Sequence, residues 1–188
     1  MNQESYAGVS KAAWGSLFLY LNINLGSINI LPNFMGYLLM LGAIADLKEE
    51  NRDFLLLRPL GILLTGWHLA EWVLTIFGIS LNGKLPVVQL IVVIINLYFS
   101  FQLYTDFAGI ASRYQETGER LDRRILICRN IQAVLTTFLA LPIRWDTDSN
   151  WSQCIMIPVI LLGAIAGIAL MLNLFSLRRL LQQTEDQN

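Results

Sequence analysis

Long apolar runs alternate with short polar or charged segments along this chain. The runs have the lengths of membrane helices, not of core strands. The first covers residues 12–47. As one helix its roughly 36 residues would reach ~54 Å, against a hydrocarbon core of about 30 Å. Pro32 lies near its centre and biases Leu31 away from helical angles, so the run divides into elements over about 12–31 and 33–47. The second is short for a full crossing, which leaves either two short crossings or a re-entrant hairpin. Four further runs predict helices over 55–81, about 87–111, 125–141 and 155–177. Asn82-Gly83-Lys84 reads as a tight turn, and Pro86 suits the first turn of the helix after it. Pro142 closes the fifth run and Arg178-Arg179 mark the end of the last. The expected fold is all-α: one transmembrane domain over residues 1–188, a polytopic integral membrane helix bundle of six helices in three hairpins, the first hairpin short.

Composition supports this reading. Of the 188 residues 55% are hydrophobic and 14% charged, where a soluble domain carries about 25% charged residues. Mean hydropathy is +0.52. The net charge of −1 conceals clustering, because acids and bases share the same connecting segments. Basic residues concentrate at 48–58, at 113–124 and at the end of the last helix, while 82–85 and 142–152 hold one each. The positive-inside rule then places the first group in the cytoplasm, with both termini, whichever form the first hairpin takes. Residues 1–10 are polar, carry Glu4 and lack a basic region, so the first apolar run is expected to be retained and not cleaved as a signal. Cys128 and Cys154 fall near opposite ends of adjacent helices, which points to two separate buried thiols.

Polar residues inside the apolar runs are the candidate chemistry, because each is costly at that depth. On a continuous helix Gly15, Asn22, Gly26, Asn29 and Asn33 would share one stripe. These amides either bond across to neighbouring helices or coordinate a polar solute at a broken helix. His68, the one histidine, lies near mid-depth with Glu71 three residues on. Gln89, Asn96 and Ser100 share a stripe on the next helix, with Tyr104 at its edge, and Asn96 is placed to meet His68. Asn22, Asn29, His68, Glu71 and Asn96 form the expected ligand-binding set. Gln132 and Thr136 read as packing residues. Gly163-Ala-Ile-Ala-Gly167 reads as a close helix contact, internal or between subunits. Arg113, Arg120, Arg123, Arg124 and Arg129 form a basic cluster, read as a topology signal or as a hold for anionic lipid headgroups. One histidine with one carboxylate is too few for zinc. No zinc-protease, serine-hydrolase, phosphate-loop or dinucleotide motif is present in the sequence. No catalytic residue, metal or cofactor is therefore expected.

The run Ile28-Asn-Ile-Leu-Pro-Asn-Phe-Met-Gly-Tyr37, followed by an apolar helix, Asp46 and a charged segment, resembles a motif near the N-terminus of a group of small multi-pass membrane proteins from Gram-positive bacteria. The likeness covers roughly residues 12–60. It implies a bacterial inner-membrane location and names no substrate.

The leading expectation is a non-enzymatic membrane protein that binds a small solute, ion or lipid in a polar mid-membrane pocket, for transport or sensing. The alternatives are a structural or partner subunit acting through helix contacts, as a homo-oligomer or with another membrane protein, and an intramembrane enzyme using His68, Glu71 or Asp106 as acid or base. The expected surroundings are the lipid bilayer, and nucleic acid is not an expected partner.

Overall fold

The computed structural model describes residues 3–20, 24–25, 28–29, 32–79, 81, 85–115, 118–141 and 150–186. Among them are six helices: α1 (Gln3–Tyr20), α2 (Asn33–Leu47), α3 (Phe54–Ile76), α4 (Pro86–Tyr114), α5 (Leu121–Ala140) and α6 (Asn150–Asp186). A small antiparallel ribbon, β1 (Asn24–Leu25) and β2 (Ile28–Asn29), lies between α1 and α2 and pairs Asn24 with Asn29. The all-α bundle is as the apolar runs dictate.

The ends of the elements differ from the sequence expectation for identifiable reasons. The first helix stops at Tyr20 and does not continue to residue 31. The next turns of chain are rich in asparagine, whose amide competes with the helical hydrogen bond, and the strands flank Gly26 in the sequence. Asn29 therefore sits on a strand, and the expected helical stripe of Gly15, Asn22, Gly26, Asn29 and Asn33 does not form. Pro32 does mark the break: its backbone is extended and α2 begins at the next residue. α3 ends at Ile76, five residues short of the expected end, because Gly78 takes a left-handed conformation (φ +73°). There the Gly78 N–H donates to Thr75 O and the Ile79 N–H to Leu74 O, closing the last turn. α6 runs on past Arg178-Arg179 to Asp186, since Leu, Arg and Gln are good helix formers and Leu177 and Leu181 stay buried. The arginine pair marks a change of surroundings, not a helix end.

Each helix packs on its neighbours in sequence, and α1 closes onto α6, so the hairpins form a ring. Small residues permit the closest crossings. A Cβ on Gly15 would lie 3.0 Å from Gly36 O, and one on Gly36 would lie 2.8 Å from Leu19 Cγ. The Gly163/Gly167 pair is spent inside the chain. A Cβ at Gly167 would stand 2.5 Å from Tyr20 Cβ, and Gly163 O accepts from Gln132 Nε2 at 2.7 Å.

One end of the ring gathers the charges. Glu50 accepts from Ser5 at 3.1 Å and from Tyr114 at 3.0 Å, and Arg113 donates to its backbone carbonyl. Lys11 pairs with Asp46 at 2.7 Å one turn below. Tyr114 also shares a groove with Arg120 and Gln183. The start of α1, the α2–α3 and α4–α5 connections and the end of α6 thus lie at one end. The buried core includes Phe54, Phe99, Tyr104, Phe107, Leu170 and Leu174.

The outer surface is apolar. Leu56 is 73% exposed, Val134 67% and Ile165 62%, with many similar neighbours. Contiguous exposure on this scale is the mark of a lipid-facing surface, not of a water-soluble monomer. Among the described residues α3, α4 and α6 are long and apolar enough to cross a membrane, and α2 is apolar but shorter. α5 carries Arg123, Arg124, Arg129, Asn130 and Gln132 along its length. Cys128 is buried as expected, against Asn173, whereas Cys154 is exposed on the apolar face.

Candidate functional site

The polar stripe of α4 faces inward and organises the interior. Asn96 Oδ1 accepts from the Tyr37 hydroxyl at 2.7 Å. Ser100 Oγ donates back to Asn96 O at 2.7 Å, satisfying the helix without an outside partner. The Tyr104 hydroxyl meets Ser16 Oγ at 2.9 Å. Ser16 sends its one hydrogen to Ala12 O, so Tyr104 is the donor to Ser16. Tyr20, one turn beyond Ser16, tilts against Tyr104 with ring centroids 6.3 Å apart. The Gln89 amide instead donates to Leu81 O, in the α3–α4 connection.

α5 supplies the opposite wall. Gln132 is buried and held by Gly163 O. Arg129, one turn earlier, donates to Thr105 Oγ1 at 2.7 Å and to Asn130 Oδ1, and its guanidinium lies 3.8 Å from the Phe101 ring centroid. Among the described residues no carboxylate pairs with it. These residues enclose a cavity of about 20 Å³ lined by Tyr20, Asn96, Ser100, Tyr104, Arg129, Gln132 and Thr136, with Phe101 and Ala133 as apolar wall. A space needs roughly 10–15 Å³ to hold one water, so this one admits a water or a monatomic ion. Tyr104 and Asn96 lie ~15 and ~27 Å along α4 from Tyr114 at 1.5 Å per residue, which sets the cavity well inside the apolar zone. Arg129 is the one charge on its wall among the described residues.

Three of the five residues picked from sequence are brought together, through a residue that was not picked. The Tyr37 ring stacks on His68 at 5.2 Å and 8°, and His68 Nδ1 lies 3.2 Å from Glu71 Oε2. Glu71, His68, Tyr37 and Asn96 therefore form a connected row from α3 through α2 to α4. Of the four only Asn96 lines the cavity, and the Glu71 side chain is 40% exposed. Asn29 is placed by its backbone pairing with Asn24, and Asn22 lies outside the described residues. The sequence signal for the missed members was spacing: Ser16 and Tyr20 are i, i+4 on α1, and Arg129, Gln132 and Thr136 share a face of α5.

The remaining candidates separate from this site. Asp106 is buried on the far face of α4. It accepts from Gln102 at 3.0 Å on Oδ1, and its Oδ2 has no hydrogen-bond partner among the described residues. The five-arginine cluster divides: Arg113 reaches Glu50, Arg129 turns inward, and Arg120, Arg123 and Arg124 stay at the charged end. Among the described residues no three His, Cys, Asp or Glu side chains are grouped to hold a metal. No protein-family model, curated protein or solved structure matches the chain.

Proposed function

We propose that this is a multi-pass protein of a bacterial cytoplasmic membrane that binds a small solute, most favourably a small anion, in the cavity beside Arg129, for transport or sensing. The observation that carries the reading is Arg129: a cation with no described counter-charge on the wall of a small polar cavity at membrane depth. An intramembrane ionisable group marks a functional site by default. Beside Arg129 the Asn96 amide and the Thr136 hydroxyl are the donors on the wall, since the hydroxyl hydrogens of Ser100 and Tyr104 are already given to Asn96 O and Ser16 Oγ, and a cation with such donors favours an anion in a water-poor space. His68 and Glu71 connect to this site through Tyr37 and do not line its wall. In this reading all six helices cross or enter the bilayer, α1 and α2 as a short hairpin, and both termini face the cytoplasm, in keeping with the basic residues at the charged end.

The partner-subunit alternative loses the glycine pair as support, because Gly167 already packs on Tyr20. For the enzyme alternative, the described partners of His68 are Glu71 and the Tyr37 ring, neither of them a nucleophilic hydroxyl or thiol held for deprotonation by His68.

The test is thermal unfolding of purified protein in detergent at constant ionic strength, with sodium gluconate progressively replaced by chloride or bromide. A ligand of the folded state raises the midpoint with concentration. The small anions are expected to raise it and gluconate not, with the effect absent in a folded Arg129→Gln variant. Equal midpoints across all anions, or an unchanged response in Arg129→Gln, would overturn the proposal.

A further inference from the structure

A second concavity, a groove of about 1110 Å³, opens at the charged end, between the start of α5 and the last turns of α6. Arg120, Arg123 and Arg124 line one side and Arg179 the other, against Glu119, the one acid on the wall among the described residues. Four guanidinium groups from two helices that are distant in sequence converge there, and among the described residues no carboxylate forms an ion pair with any of them. Asp122, the nearest other acid in sequence, is not on the groove wall. Its carboxyl is held below the usual range, first by the Gln115 amide and then by the Arg123 backbone N–H. Gln115, just past the end of α4, also accepts from the Leu121 and Asp122 N–H groups, so it holds the start of α5 and the arginines are left free of that task.

Mutual repulsion of four cations is a cost that a topology signal does not require, since scattered charges would set topology equally well. The groove also has an apolar floor. Ile127 lines it and is 57% exposed, and below it on the same two helices Val134 and Leu172 are 67% and 56% exposed. A cationic rim directly above a lipid-facing apolar strip matches one kind of molecule: a phosphate-bearing head with acyl chains beneath it. Guanidinium binds phosphate oxygens in a bidentate manner, and basic pockets between membrane helices hold headgroups of this kind.

We propose that Arg120, Arg123 and Arg124 of α5 and Arg179 of α6 bind the phosphate headgroup of an anionic phospholipid carrying more than one negative charge. The groove and the Arg129 cavity share no residue, so this proposal stands apart from the function proposed above.

The experiment uses the full chain, purified and delipidated in a neutral detergent, with binding read by native mass spectrometry and by the thermal midpoint. The probes are cardiolipin, phosphatidylcholine, and inorganic phosphate and pyrophosphate as soluble sources of the same chemistry. Cardiolipin is expected to bind and to raise the midpoint, and phosphatidylcholine not. Removing two cations by Arg123→Gln with Arg179→Gln is expected to weaken cardiolipin by roughly 30-fold, at about five-fold per arginine near an anionic head. Arg52→Gln with Arg58→Gln, an equal charge change outside the groove, is expected to leave it unchanged. If the groove variant fails to fold, Arg123→Lys with Arg179→Lys keeps the charge and still loses bidentate contact, so weaker binding is again expected. Equal binding of both lipids, equal weakening by the two Gln pairs, or protection by pyrophosphate without protection by cardiolipin would each overturn the proposal.

Discussion

The Tyr37 hydroxyl donates to Asn96 Oδ1 at 2.7 Å while the face of the same ring lies on His68. This one side chain ties α2 to both α3 and α4, and it decides how the row of polar residues reaches the cavity. Tyr37→Phe keeps the ring and its stacking and removes only the hydrogen bond. Unfolding in detergent is expected to show a loss of about 1 kcal/mol, because Asn96 is left with an unmet acceptor. In an Asn96→Leu background the same change is expected to cost almost nothing, and the coupling between the two is expected to be about 0.6–1.7 kcal/mol, as for hydrogen bonds between other membrane helices.

The two glycines of the Gly163/Gly167 pair are expected to respond in opposite ways. A Cβ on Gly163 would meet only Leu135 Cδ1 at 3.7 Å, an ordinary contact, whereas a Cβ on Gly167 would collide with Tyr20. Gly163→Ala is expected to stay within about 0.5 kcal/mol of the parent and Gly167→Ala to lose roughly 1–3 kcal/mol. Both variants are expected to keep the parent's mass by light scattering. A dimer interface would instead show both glycines changing the oligomeric state.

Gly78 and Gly66 make a second contrast. Both have open space around them, but Gly78 holds a left-handed backbone at the end of α3 and Gly66 lies in mid-helix. Gly78→Ala is expected to destabilise by about 1 kcal/mol through strain, and Gly66→Ala to stabilise by up to about 1 kcal/mol through helix propensity. Paired thermal melts check the two signs.

Much of the fold was legible because the apolar runs are separated by residues with fixed backbone preferences. Pro32 and Pro86 stand where helices start, and His68 with Glu71 was visible as a helical neighbour pair. Residues 24–25 and 28–29 were misread as helical because a bilayer-length apolar run carries no periodicity that would distinguish a short ribbon from a helix. Gly78 was available as a stop signal and was outweighed by the apolar residues after it. The ends of α1 and α6 were missed because polar flanks report the membrane surface, while a helix ends where its hydrogen bonds stop. In the site, Tyr37, Ser16 and Tyr20 were hidden by their surroundings, since hydroxyls inside apolar runs look like ordinary packing. Arg129 was assigned to the basic cluster by proximity in sequence, although its position one turn before Gln132 sends it inward. Closure of α1 onto α6 has no local signature at all.

Sidedness follows from the contacts at the charged end. Cysteines introduced at Glu49 and Arg179, in a chain whose own Cys128 and Cys154 are serine, are expected to react with an impermeant maleimide from the same face of oriented vesicles. A cysteine at Leu141 is expected to react only from the other face. Labelling of Leu141 and Arg179 positions from one face would contradict the ring as described.

The most direct measurement is a structure of the protein in bromide, with anomalous scattering used to locate the ion. The account predicts a bromide peak within hydrogen-bonding reach of the Arg129 guanidinium, between Asn96 and Tyr104. A bound structure whose anomalous peaks all lie elsewhere, with the Arg129 cavity empty of anion, would contradict it.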